Sequence, residues 1–229
     1  MKKLFICSTL ALSMMASSAA FADGRQANAP TIRTLSGATP ITSLTAKKTA
    51  LIVVDFQYEY FDGKMKIPDG LKALKEAKKL VDFAHKKGIT VVFVRHEGPA
   101  DGPLFAKGSH FADFHKDLSP ANGDLVITKA TPSSFVGTDL DAQLKKLGIS
   151  DLIVTGLMTH MCVSSTARDA VPLGYQVIIP EDATATRDLA TWDGKVIHHN
   201  DLQRAALAGV ADVFAEIKTT QQVLALPVN

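Results

Sequence analysis

The sequence has little cysteine: Cys7 and Cys162 are the only two among 229 residues. No C-x-x-C pair occurs, which argues against a thiol redox protein. Neither G-x-G-x-x-G nor a P-loop pattern is present, so nucleotide binding by those routes has no support. An excess of charge of one sign is also lacking. Twenty-five Lys and Arg face 23 Asp and Glu, a net charge of +2. That balance offers no basic stripe for nucleic acid and no polybasic anchor for a membrane surface. Long apolar runs are missing too. The stretch from Leu4 to about Ala16 is too short to span a bilayer as a permanent helix. No internal repeat and no low-complexity linker divides the chain.

What stands at the N-terminus is an export signal. Lys2 and Lys3 form a basic start, the apolar stretch follows, and Ala20-Phe21-Ala22 is an A-x-A cleavage site. Residues 1–22 are therefore expected to be removed, leaving Asp23 first and placing the protein in a periplasm or outside the cell. Cys7 lies before the apolar core rather than at the cleavage site, which excludes a lipoprotein. It leaves with the signal, so Cys162 is the only cysteine of the mature chain and no intrachain disulfide can form. The two lysines lost leave a neutral protein. Stability must come from the core, for which 46% apolar residues is ample.

Residues 23–48 read as an extended N-terminal arm, and 49–229 as one domain. Apolar, β-branched runs at 49–56, 89–96, 124–129 and 151–156 are strands buried on both faces. A fifth opens at 175, and 215–219 is a last short one. Between them, 69–88 carries Leu71, Leu74, Ala77, Leu80, Val81 and Ala84 at helical spacing, with Asp69 as cap and Gly88 as stop. Helices also follow at 138–148, 160–171 and 201–214. Pro172 should end or kink the helix at 160–171. Strand and helix alternate, so the fold class is α/β: a doubly wound, Rossmann-like α/β/α sandwich with a parallel sheet of about six strands.

Such sheets bind ligands beyond the carboxyl ends of their strands. Asp55 ends the first strand, Lys129 the third, and the fourth runs through a turn to Cys162. The topology brings these three to one edge. Cys162 is expected in the first turn of a helix, where free N–H groups and the dipole favour a thiolate. Lys129 would lower its pKa further, and Asp55 could accept the thiol proton and pass it to a leaving group. An inert buried cysteine is the plainer reading of Cys162 alone. Lysine ending an apolar strand is harder to explain without a partner.

The segments "VVDFQYEYF", "ITKATPSSF" and "VTGLMTHMCVSSTARDA" resemble the three signature segments of the isochorismatase-like cysteine hydrolases. G-x-x-T-x-x-C-V is met by Gly156, Thr159, Cys162 and Val163. The resemblance implies that Cys162 is the nucleophile, Asp55 the general base and Lys129 the orienting cation of a catalytic triad. It implies a cis peptide at Leu157–Met158, with the amides of Met158 and Cys162 as an oxyanion hole. It also implies a homo-oligomer. The metal-bearing branch has an aspartate and two closely spaced histidines after the second strand. His96, His110 and His115 are present here without that spacing, so no metal and no cofactor are expected.

The pocket wall is assigned to Tyr60, Phe61, Phe135, His160 and Trp192, the last in a loop at 187–200 that also holds His198. Each aromatic could equally be ordinary packing. The expected function is a metal-independent cysteine hydrolase of a small non-peptide amide, imide or ureido C–N bond, acting through a thioester. The alternatives are an isochorismatase-type vinyl-ether hydrolase and a non-catalytic small-molecule binder. The partner in every case is a small molecule, with neither nucleic acid nor membrane.

Overall fold

The computed structural model describes residues 29–229. The expected signal peptide and the first residues of the arm lie outside them. Six strands build the main sheet: β1 (Thr49–Val54), β2 (Thr90–His96), β3 (Leu125–Lys129), β4 (Asp151–Leu157), β5 (Gln176–Pro180) and, near the C-terminus, a strand at Glu216–Lys218. Two-residue strands β6 (Thr184–Ala185), β7 (Leu189–Ala190) and β8 (Val196–Ile197) precede the last one, which is therefore β9. The order across the sheet is β3-β2-β1-β4-β5-β9, with β6 as a seventh strand paired alongside the end of β4. Every pairing in this sheet is parallel. The chain winds one way from β1 to β3 and the other way from β4 to β9, so the switch point lies between β1 and β4.

The helices are α1 (Ile32–Leu35), α2 (Gly70–Lys87), α3 (Leu140–Lys146), α4 (Ser164–Ala170), α5 (His199–Ala211) and α6 (Thr220–Leu224). β1 shows why both faces must be covered. All six of its residues are buried. Leu51 and Val53 pack with Leu74, Ala77 and Leu80 of α2. Ala50, Ile52 and Val54 pack with Leu140 and Leu144 of α3, Ala167 of α4 and Leu207 of α5. Burying each Leu, Ile or Val contributes about 1.5–3 kcal/mol, and alternate residues supply two separate cores. No helix among the described residues is long and apolar enough to cross a membrane.

Several local expectations need correction. Asp69 starts α2 but its side chain makes no capping bond. Its carboxylate is held instead by Lys72 at 2.7 Å and faces His199 at 3.5 Å. Gly88 does close α2 in the left-handed region. The helix expected at 160–171 is two pieces: a π-helical turn at Thr159–Val163, then α4, which stops at Ala170 ahead of Pro172. Residues 187–200 hold the antiparallel β7–β8 hairpin, for which short exposed strands left no periodic signal.

Candidate active site

β1 delivers the chain to Asp55, whose φ of 54° lies in the left-handed region. That region is uncommon for residues with a Cβ, and aspartate tolerates it better than most. The turn is fixed by the Asp55 N–H donating to Val94 O at 2.9 Å and the Gln57 N–H donating to Asp55 O at 2.8 Å. Across the switch point, Gly156 has φ 145°. A Cβ there would strike the Val54 carbonyl oxygen, so glycine lets β4 lie against the end of β1. The Leu157–Met158 peptide that follows is cis.

Three side chains from these separate strands meet. Lys129 Nζ lies 2.6 Å from Asp55 Oδ2, and both side chains are fully buried. The same nitrogen donates to Cys162 Sγ at 3.3 Å. Cys162 itself is 4% exposed. Apart from the ion pair, neither Asp55 oxygen has a hydrogen-bond partner of ordinary geometry among the described residues. The carboxylate therefore keeps room to accept a proton.

The electrostatics run against the expected thiolate. Burial pushes the Cys162 thiol up, the Asp55 charge pushes it further, and Lys129 only partly pulls it back; the result is about 12. Burial likewise raises Asp55 against the opposing pull of Lys129. For Lys129, burial favours the neutral amine, but the Asp55 charge and then Cys162 outweigh it and the ammonium is strengthened. The thiol is thereby held neutral beside the Asp55–Lys129 contact. Desolvation and the nearby carboxylate outweigh the helix terminus and Lys129.

The remaining candidates separate. Tyr60 is buried beside the site; burial, then Cys162 and Asp55, raise its pKa well above the usual value. His160 pairs its Nδ1 with Thr186 Oγ1 at 2.5 Å, and burial followed by the Arg187 charge lowers its pKa. Phe61 lies against His115, with ring centroids 4.7 Å apart. Phe135 stacks on Tyr175 at 5.7 Å, within the core that also holds Cys162. Trp192 is 97% exposed and does not reach the site. It sits at the tip of the β7–β8 hairpin.

The three histidines flagged after β2 also part company. His96 turns its Nδ1 to Lys129, while His110 and His115 pack against Tyr58. The three-residue group of potential metal ligands among the described residues is elsewhere, at Asp188, His198 and His199. Sequence reasoning missed Arg187. Its Nε is buried without a partner among the described residues, and its charge acts on both Tyr60 and His160. It lines a cleft with Lys64, Lys66 and Leu104. The available signal was one lone cation directly after "DATAT".

Comparison with known proteins identifies the family and the fold. The Isochorismatase domain model matches residues 49–222. A secreted isochorismatase effector, Isc1, of Verticillium dahliae is 35% identical over 191 residues, covering 83% of this chain and 97% of its own. The crystal structure of an isochorismatase from Pseudomonas putida is 36% identical with a TM-score of 0.79, covering 84% and 98% of the two chains. That of N-carbamoylsarcosine amidase from Thermoplasma acidophilum is 30% identical with a TM-score of 0.64, covering 76% and 96%.

Proposed function

The chain belongs to the isochorismatase family of hydrolases, and on that premise we propose that it is a metal-independent cysteine hydrolase. Its substrate is a small non-peptide amide, imide or ureido compound. One observation carries this reading: a single buried ammonium touches a carboxylate at 2.6 Å and a sulfur at 3.3 Å. A vinyl-ether hydrolysis that runs through aspartate alone has no use for the sulfur. The amidase relative from Thermoplasma supports the C–N choice.

In the proposed reaction the thiol proton passes to Asp55 as sulfur attacks the carbonyl carbon. The C=O π pair moves to oxygen, and the backbone amides of Met158 and Cys162 are the donors we assign to that oxyanion. The oxyanion collapses, the C–N bond breaks, and Asp55 returns its proton to the departing nitrogen. Water then gives a proton to Asp55 and attacks the thioester. The C–S bond breaks and Asp55 reprotonates the thiolate. Lys129 stays an ammonium throughout and offsets whichever of carboxylate or sulfur carries the charge. Tyr60 stays protonated and offers the sulfur a second donor. Arg187, with its unpartnered Nε, is assigned to an electron-rich substituent of the substrate.

The test is a panel of small amides and ureido compounds scored by ammonia release, with intact-protein mass measured during turnover. Turnover with an acyl adduct on Cys162 is expected. A second reading, hydrolysis of an isochorismate-type vinyl ether, is favoured by the Pseudomonas relative being an isochorismatase. Vinyl-ether turnover that survives Cys162→Ser, with no amide cleaved, would replace the first reading by the second. We further propose export through residues 1–22, supported by the secreted fungal relative. Cell fractionation checks it.

A further inference from the structure

An ammonium has three protons, and the proposed chemistry gives two of them to Asp55 and Cys162. The third has a partner of its own. His96 Nδ1 lies 3.3 Å from Lys129 Nζ, as far away as the thiol sulfur. The two residues are register partners at the ends of β2 and β3. An ammonium can only donate, so Nδ1 must be an acceptor and the ring proton must sit on Nε2. The surroundings favour that neutral ring. Burial and then the Lys129 charge lower the His96 pKa, outweighing Asp55 and the Thr131 backbone.

The backbone of His96 is anchored with unusual thoroughness for the end of a strand. Its N–H donates to Gln57 Oε1 at 2.7 Å, and its carbonyl accepts from Gln57 Nε2 at 2.8 Å. Gln57 is fully buried, and its Nε2 also donates to Ala112 O at 2.7 Å. The ring lies tilted on Phe105, with centroids 5.1 Å apart. Gln57 follows Asp55 by two residues, so one short segment carries the base and braces the histidine.

We propose that His96 is a positioning residue of this site, its neutral Nδ1 taking the third proton of Lys129 and so holding Nζ where it reaches both Asp55 and Cys162. The inference rests on the Asp55–Lys129–Cys162 assignment but not on any substrate. A lysine side chain has four freely rotating bonds, and two contacts on one side leave the ammonium able to swing. The third contact, from the next strand, closes the tripod.

The test reads the thiol directly. Iodoacetamide alkylation of Cys162 is followed against pH in the full chain, with thermal unfolding as a control. His96→Asn keeps an acceptor near the Nδ1 position; His96→Phe keeps the packing on Phe105 and removes the acceptor. In His96→Phe the lysine no longer steadies the sulfur, so the profile moves to higher pH and alkylation at pH 9 slows about tenfold, one pKa unit. In His96→Asn the profile stays within about twofold of the parent. Should the Phe variant fail to fold, His96→Gln serves, since its amide sits a bond too far out and the profile is again expected to move up. Equal profiles for the parent and the acceptor-free variant, or an Asn variant no better than Phe or Gln, would overturn the proposal. The readout needs no turnover. A wrong substrate class therefore leaves the result standing, and a wrong role for His96 leaves the hydrolase reading standing.

Discussion

Replacing Asp55 by Asn should make Cys162 more reactive toward an alkylating agent and less competent in turnover. The two effects have opposite signs because the proposed reaction gives Asp55 two roles. As a buried charge it opposes thiolate formation, and as a base it takes the thiol proton. With the thiol at about 12, about one site in ten thousand carries a thiolate at pH 8. A unit charge about 5 Å away at an effective dielectric of about 20 is worth about 3 kcal/mol, or about two pKa units. Removing it raises the thiolate fraction about 100-fold. The less basic thiolate is also a weaker nucleophile, with a Brønsted slope of about 0.4–0.5, which takes back a little under tenfold. Alkylation at pH 8 should therefore speed up about tenfold, while amide turnover falls by about 10²–10⁴ for want of the base. Iodoacetamide rates followed by intact mass, beside ammonia release from the same preparations, measure both. Slower alkylation in Asp55→Asn would mean that the carboxylate stabilises the thiolate, and the resting state described above would be wrong.

Cys162→Ser should abolish amide turnover with thermal unfolding unchanged within a few degrees, since the substitution is nearly isosteric; retained turnover would remove the covalent step. Lys129→Met should raise the thiol pKa and leave Asp55 as an uncompensated buried charge, costing about 3–5 kcal/mol, or a fall in Tm of about 6–20 °C. That loss should shrink as pH falls, because Asp55, already raised above its ordinary 3.8 by burial, then binds a proton and sheds its charge; a loss independent of pH would assign it to packing instead. Activity should survive exhaustive dialysis against a chelator, since nucleophile, proton carrier, cation and oxyanion donors come from the chain. Activity lost on dialysis and regained with zinc, iron or manganese would place a metal in the reaction.

The elements most legible in the sequence were those buried on both faces. The β-branched runs ending at Asp55, His96, Lys129 and Leu157 have few other ways to be accommodated, and a parallel sheet sends all their ends to one edge. Strand order alone therefore brings Asp55, Lys129 and Cys162 to one place. What it could not supply was the balance of terms at the thiol. A helix start and a lysine both favour a thiolate and both show in the sequence. Desolvation depends on what is packed above the sulfur, and the nearness of Asp55 on how two turns are set. Histidine spacing misled for a related reason. Spacing along the chain measures His96 only against a metal motif, while its partner is Lys129, one strand away. Trp192 lies in a segment whose residues alternate too briefly to announce a hairpin, so its aromatic character alone points to a pocket wall that the exposed tip does not form.

A neutral resting thiol also reconciles the proposed export with the proposed chemistry. An exported protein meets oxidants and disulfides, and a cysteine is attacked in proportion to its thiolate character and exposure. Cys162 is short of both, at 4% exposed and with its pKa pushed up to about 12. A low-pKa cysteine in the same place would be a standing target with no second cysteine in the described chain to form a protective disulfide. In the proposed mechanism the Asp55–Lys129 pair avoids that exposure and still leaves the sulfur able to attack. The proton has a built-in acceptor, and the ammonium can follow the negative charge from carboxylate to sulfur with little movement. Transfer becomes favourable only when a carbonyl carbon is at hand to take up the sulfur's electron pair. On this view the high pKa and the catalytic role have the same origin, since burial beside a carboxylate both silences the thiol at rest and supplies the base that activates it.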